Sequence, residues 1–148
     1  MTLAFGAKGL LVLWAGYLAW MDFRQHRLPN GLTLGAAGLG IIYILVRGHS
    51  WLGAEPGSAF AAGVLAVLLL APCLYWGWLG AGDIKMLAAI GFLGGVQILA
   101  VTFVIASFLA LPFALGSVLK KPASAMNKLA LPQGVFFAGG LLLAMLSG

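Results

Sequence analysis

Six stretches of the chain are almost free of charged side chains: Leu3–Met21, Leu32–Val46, Ala59–Trp76, Ile84–Leu93, Val96–Leu119 and Leu129–Leu146. In an apolar solvent a backbone must pair its own N–H and C=O groups, which an open strand cannot do, so each stretch is read as a helix. The fourth and fifth are the hardest to separate. A single helix across both would be about 50 Å long at 1.5 Å per residue, against a hydrocarbon layer of about 30 Å. Gly94-Gly95 is the natural break between them. The pattern predicts an all-α polytopic membrane protein with about six transmembrane helices, the fourth short or irregular at its start.

Composition supports a lipid solvent and limits the domain count. Only 7% of residues are charged and 63% are hydrophobic, with a mean hydropathy of +1.10; soluble domains carry about 25% charged residues. At about 20 residues per crossing, 148 residues leave no room for a separate soluble domain, so residues 1–148 are expected to form one membrane domain. The N-terminal apolar run ends at Met21-Asp22-Phe23-Arg24 without a small-x-small cleavage site, so it reads as a retained span and not a signal peptide. Cys73 is the only cysteine and sits in an apolar run, where it reads as a small buried hydrophobe, leaving no disulfide framework and no cysteine zinc site within the chain.

The net charge of +5 lies mostly in short connections, a pattern that orients a membrane protein and does not suggest nucleic acid binding. Arg24 and Arg27, then Lys85, then Lys120, Lys121 and Lys128 fall in alternate connections, opposed by Lys8 and Arg47. Positive charge accumulates on the cytoplasmic side, so these loops are expected there and both termini outside. Asp22 and Asp83 then share the cytoplasmic face.

The chain has three acidic residues, Asp22, Glu55 and Asp83. Glu55 reads as a solvated charge in the loop Gly53-Ala54-Glu55-Pro56-Gly57. Carboxylates at a membrane edge are costly and point to function. Asp22 ends a long apolar helix, where the helix dipole disfavours an anion, although pairing with Arg24 or Arg27 would account for it as an ordinary interfacial charge. Asp83 follows Gly80-Ala81-Gly82 and opens a helix, so N-capping alone would account for it; the flanking glycines additionally let another segment approach its carboxylate. Two carboxylates on one site can share a proton, one activating water while the other donates to a carbonyl. The helix ends favour Asp83 as the ionised base and Asp22 as the protonated acid. Lys85 is expected to orient a carboxylate or bind lipid phosphate. His26 and His49 lack metal-ligand spacing, and Tyr75, Trp76 and Trp78 read as an interfacial aromatic belt beside the Gly80–Asp83 loop.

Asp22-Phe23-Arg24-Gln25-His26-Arg27-Leu28-Pro29-Asn30 resembles the first aspartate motif of type IV prepilin peptidases, D-x-R-x-x-x-[IL]-P-N. Gly80-Ala81-Gly82-Asp83-Ile84-Lys85-Met86 resembles the second, G-x-G-D-x-K-[LM], and Leu131-Pro132-Gln133-Gly134-Val135 resembles the segment opening the last span. Gln133 departs from the family, which usually has an aromatic residue there. The resemblance covers essentially the whole chain. It implies a membrane aspartic endopeptidase with Asp22 and Asp83 catalytic, and with Gly80, Gly82, Lys85, Arg24, Pro29, Asn30, Pro132 and Gly134 supporting the site or near substrate. It implies no cofactor and no metal. The substrate implied is a pilin-like precursor with a basic cytoplasmic leader, a glycine before the scissile bond and a hydrophobic helix after it. Larger members add a methyltransferase segment with paired cysteines; this chain looks like the short, peptidase-only Tad/Flp type, so cleavage without methylation is expected at the bacterial inner membrane. Proline at 29 stops the first helix and Asn30 is expected to cap the second. A lateral groove beside the two aspartates is expected to admit the substrate helix.

Two other classes fit parts of the pattern. A small transporter or proton relay would use the carboxylates near mid-membrane on discontinuous helices, and a non-catalytic secretion-assembly subunit would not need two intact aspartate motifs. Other Gly-x-Gly-Asp proteases carry the first aspartate in a Tyr-Asp pair deep in a span, whereas Met21 precedes Asp22 at a span end.

Overall fold

A computed structural model describes residues 2–25, 28–75, 80–120 and 133–147. All regular structure among them is helical: α1 (Thr2–Gln25), α2 (Asn30–Arg47), α3 (Pro56–Tyr75), α4 (Ala81–Lys120) and α5 (Gln133–Ser147). Asn30–Arg47, Pro56–Tyr75 and Ala81–Phe113 are long and apolar enough to cross a membrane, and Gln133–Leu146 is a shorter apolar helix. The fourth and fifth apolar segments are contiguous in α4, but Gly95 divides that run into two helical segments, 81–94 and 96–120. The expected break is thus present as a kink. Gly95 stands at φ 82°, ψ −178° inside that run, a conformation essentially confined to glycine.

The kink leaves backbone groups that the helix no longer pairs, and the α2–α3 connection and the first turn of α3 take them up. Ser58 Oγ accepts the Val96 N–H at 3.2 Å, and the Leu52 N–H donates to the Leu93 carbonyl at 3.0 Å. Buried backbone polar groups require such partners. An added Cβ at Gly95 would also lie 2.6 Å from Ala54 Cβ. Gly95→Ala is therefore expected to lower stability by at least about 2 kcal/mol, from backbone strain together with the clash, measured as a fall in unfolding midpoint in detergent.

α4 is the hub: α2, α3 and α5 pack on it, and α1 packs on α5. Between Asp83 and Gly95 only Lys85 and Phe92 escape full burial, whereas beyond the kink Val101, Val104, Phe108 and Phe113 are exposed. The run before Gly95 thus forms the centre of the bundle, and the run after it lies on the apolar exterior. The approach of α3 is close, since a Cβ at Gly91 would meet the Ala62 carbonyl carbon at 2.7 Å; small residues allow such contacts between membrane helices. On α1, Leu11, Ala15, Leu18 and Asp22 form the buried stripe while Leu10, Leu13, Tyr17 and Trp20 are exposed. Steps of three and four residues keep side chains on one helical face, which is how an apolar helix brings a carboxylate inward.

Candidate functional site

Asp22 and Asp83 are 7% and 8% exposed. Each is held by a backbone N–H at the start of a helix. In the first turn of α4, Gly80 is the cap residue: its carbonyl accepts the Asp83 N–H at 3.1 Å, and its own N–H donates to Asp83 Oδ2 at 3.1 Å. This is the reach-back half of a capping box. Asp83 accordingly stands at the third helical position, not at the N-cap considered from the sequence.

Asp22 comes from the opposite direction, near the C-terminal end of α1. Its Oδ2 accepts the N–H of Gly134 at 2.8 Å, a buried bond between residues 112 positions apart. Gly134 lies in the first turn of α5, where N–H groups lack helical partners and the dipole attracts anions. The helix-end contrast expected to make Asp22 the acid is therefore offset, because its carboxylate sits on the positive end of α5 as well as the negative end of α1. Within the sequence only the Leu131–Val135 segment signalled this partner. The two carboxylates are close enough for the charge of one to be felt at the other.

The segment between α1 and α2 brings the two halves together. Leu28 packs on Gly82 so closely that an added Cβ there would lie 2.8 Å from Leu28 Cβ, the approach of another segment anticipated for these glycines. Pro29 has extended backbone (φ −66°, ψ 125°) and precedes α2 without any side-chain cap. Asn30 does not cap its helix; its Oδ1 accepts from Lys85 Nζ at 2.8 Å, linking α2 to α4. Thr33, fully buried, bonds back to the Pro29 carbonyl at 3.3 Å, and Trp14 Nε1 donates to the Leu32 carbonyl at 3.2 Å. Lys85 thus serves as a strut between helices. A double-mutant cycle on Asn30→Ala and Lys85→Met is expected to return a coupling of about 1 kcal/mol in thermal stability, the partly exposed site keeping it at the lower end for a charged hydrogen bond.

The Arg24 guanidinium lies over the Trp20 ring, 4.8 Å from the centroid. Pro132, His26, Arg27, Trp76 and Trp78 lie outside the described residues. Tyr75 is exposed, as is Glu55 in its loop. His49 Nδ1 is 2.8 Å from the Ser50 carbonyl oxygen, and its ring stands edge-on to Tyr43. Among the described residues no three His, Cys, Asp or Glu side chains gather as a metal-ligand set.

Two openings lie at this end of the bundle. A cavity of about 220 Å³ between α3, α4 and α5 has Cys73, Phe103, Gln133 and Phe136 on its walls. A larger groove of about 510 Å³ runs between α2 and α3 over the start of α4, reaching Ala81, Ile84 and Lys85.

Comparison with known proteins bears on this arrangement. Residues 9–115 match the family model described as the type IV leader peptidase family. The chain is also similar to a prepilin leader peptidase/N-methyltransferase of Escherichia coli (strain K12), at 36% identity over 124 residues covering 76% of this chain and 51% of that one. It thus spans about half the length of that curated relative. No solved structure matches it.

Proposed function

Because the chain belongs to the type IV leader peptidase family, we propose that it is an aspartic endopeptidase of the bacterial inner membrane that removes the leader from pilin-like precursors. One observation carries the chemical part of this reading: two buried carboxylates, from α1 and α4, lie within electrostatic reach of each other, each bonded to a helix-opening N–H. Membrane-edge carboxylates at that depth are kept for chemistry. One carboxyl takes a proton from water as it attacks the scissile carbonyl while the other donates a proton to the carbonyl oxygen; on collapse the first gives its proton to the departing amine nitrogen as the C–N bond breaks, and the second takes one back from the diol hydroxyl.

Loop charge supports a cytoplasmic site, where a basic leader would lie with its hydrophobic helix entering the bilayer. We seat the side chain next to the scissile bond in the cavity beside Gln133, one residue from the donor that holds Asp22. We assign leader cleavage alone to these residues, with a precursor of the Tad/Flp type as the substrate. A relay or transporter role is less favoured, because the carboxylates sit at helix ends and not on mid-membrane breaks; the kink at Gly95 falls twelve residues beyond Asp83 in the chain. Co-expression with a pilin-like precursor tests the proposal. Mass spectrometry should find a new N-terminus at the leader boundary only when the protein is present; an intact precursor would contradict the reading.

A further inference from the structure

We propose that the groove between α2, α3 and the start of α4 is a binding site for an anionic phospholipid, with an acyl chain in the groove and the phosphate on Lys85. The groove measures about 510 Å³ and is walled by apolar residues, among them Leu34, Ile41, Val67 and Phe92. Among the described residues Lys85 is the one charged side chain on its lining, and it stands at the end shared with the aspartates. Its ammonium carries three donors, and Asn30 takes one at 2.8 Å; the same bond fixes the cation at the groove's mouth. An apolar trough ending in an anchored cation matches a lipid, whose acyl chain and anionic phosphate are joined in that order from bilayer to surface. The competing occupant is a transmembrane helix. A helix would offer apolar side chains to the walls but no anion to Lys85 at the mouth, whereas a phospholipid supplies both. Loop charge supports the cytoplasmic, anionic leaflet for this end, where the negative surface potential attracts basic residues.

The test uses the purified full chain in detergent, titrated with phosphatidylglycerol, with phosphatidylcholine of the same acyl chains, or with inorganic phosphate. Phosphatidylglycerol is expected to raise the unfolding temperature by several degrees more than phosphatidylcholine, and native mass spectrometry to retain one such lipid per chain. Lys85→Gln should remove the difference between the lipids, while Ala71→Phe, which fills the groove from α3 and keeps the cation, should remove the bound lipid. Equal stabilisation by both lipids overturns the proposal. So does retention of the phosphatidylglycerol preference in either variant, an equal effect of inorganic phosphate alone, or loss of the bound lipid on adding a precursor's hydrophobic helix, which would give the groove to that helix.

Discussion

Asparagine in place of Asp83 is expected to lower kcat/KM for precursor cleavage by on the order of 10³-fold or more while leaving the protein folded. The amide keeps an oxygen that can accept the Gly80 N–H, now held at 3.1 Å, so the first turn of α4 retains its cap. What it loses is the ability to take up or give a proton, a contribution of about 10²–10⁴-fold for each acid–base group. Asp22→Asn should behave alike, its amide oxygen still meeting the Gly134 N–H. The double variant is expected to be no slower than either single one, because groups that act as a unit lose their joint effect once. Steady-state kinetics on the three purified variants would read this directly. Multiplying losses would mean that the carboxylates act independently. Alanine at position 83 is the less informative change, since it also leaves the Gly80 N–H without its acceptor and adds about 1 kcal/mol of destabilisation.

Gly134→Ala is expected to reduce turnover by on the order of 10²-fold, although the position bears no reactive group. A Cβ there would lie 2.9 Å from Asp22 Oδ2 and 3.1 Å from Asp22 Cβ and Cγ. The short aspartate side chain can relieve this only by turning, which breaks the 2.8 Å bond from the Gly134 N–H and swings the carboxyl away from Asp83. Displacing a catalytic group by about 1 Å commonly costs such a factor. Alanine suits a helix better than glycine does, so helix formation itself should not suffer. The expected signature is a fall in kcat with an unfolding midpoint near that of the wild type; undiminished kcat would show that Asp22 needs no such fixing.

The two aspartates could be found in the sequence because a membrane chain has few acidic residues and each of these lies in a recognisable local motif. The kink was legible too, since an apolar run too long for the bilayer had a glycine pair in its middle. The burial pattern was not. In water the polar face of a helix identifies its exterior, but here lipid and protein interior are equally apolar. On α1, exposed Leu10, Leu13 and Tyr17 look no different from buried Leu11 and Leu18. Partnerships across the bundle were hidden for a related reason. Asn30 had a plausible local task as a helix cap, and nothing in its neighbourhood announced Lys85, 55 residues away. Arg24 had Asp22 two residues away to suggest a partner, yet its guanidinium lies over the Trp20 ring one helical turn back. Long-range hydrogen bonds depend on which helix ends meet, and loop charge restricts that only to a side of the membrane.

The central claim is that Asp22 and Asp83 jointly hydrolyse a leader peptide bond. The most direct measurement is cleavage of a purified precursor in proteoliposomes by the wild type, Asp22→Asn and Asp83→Asn, each first checked for a wild-type unfolding midpoint. Cleavage at the leader boundary by the wild type alone is the predicted result. Processing of the precursor by either folded asparagine variant at a rate near that of the wild type would contradict it.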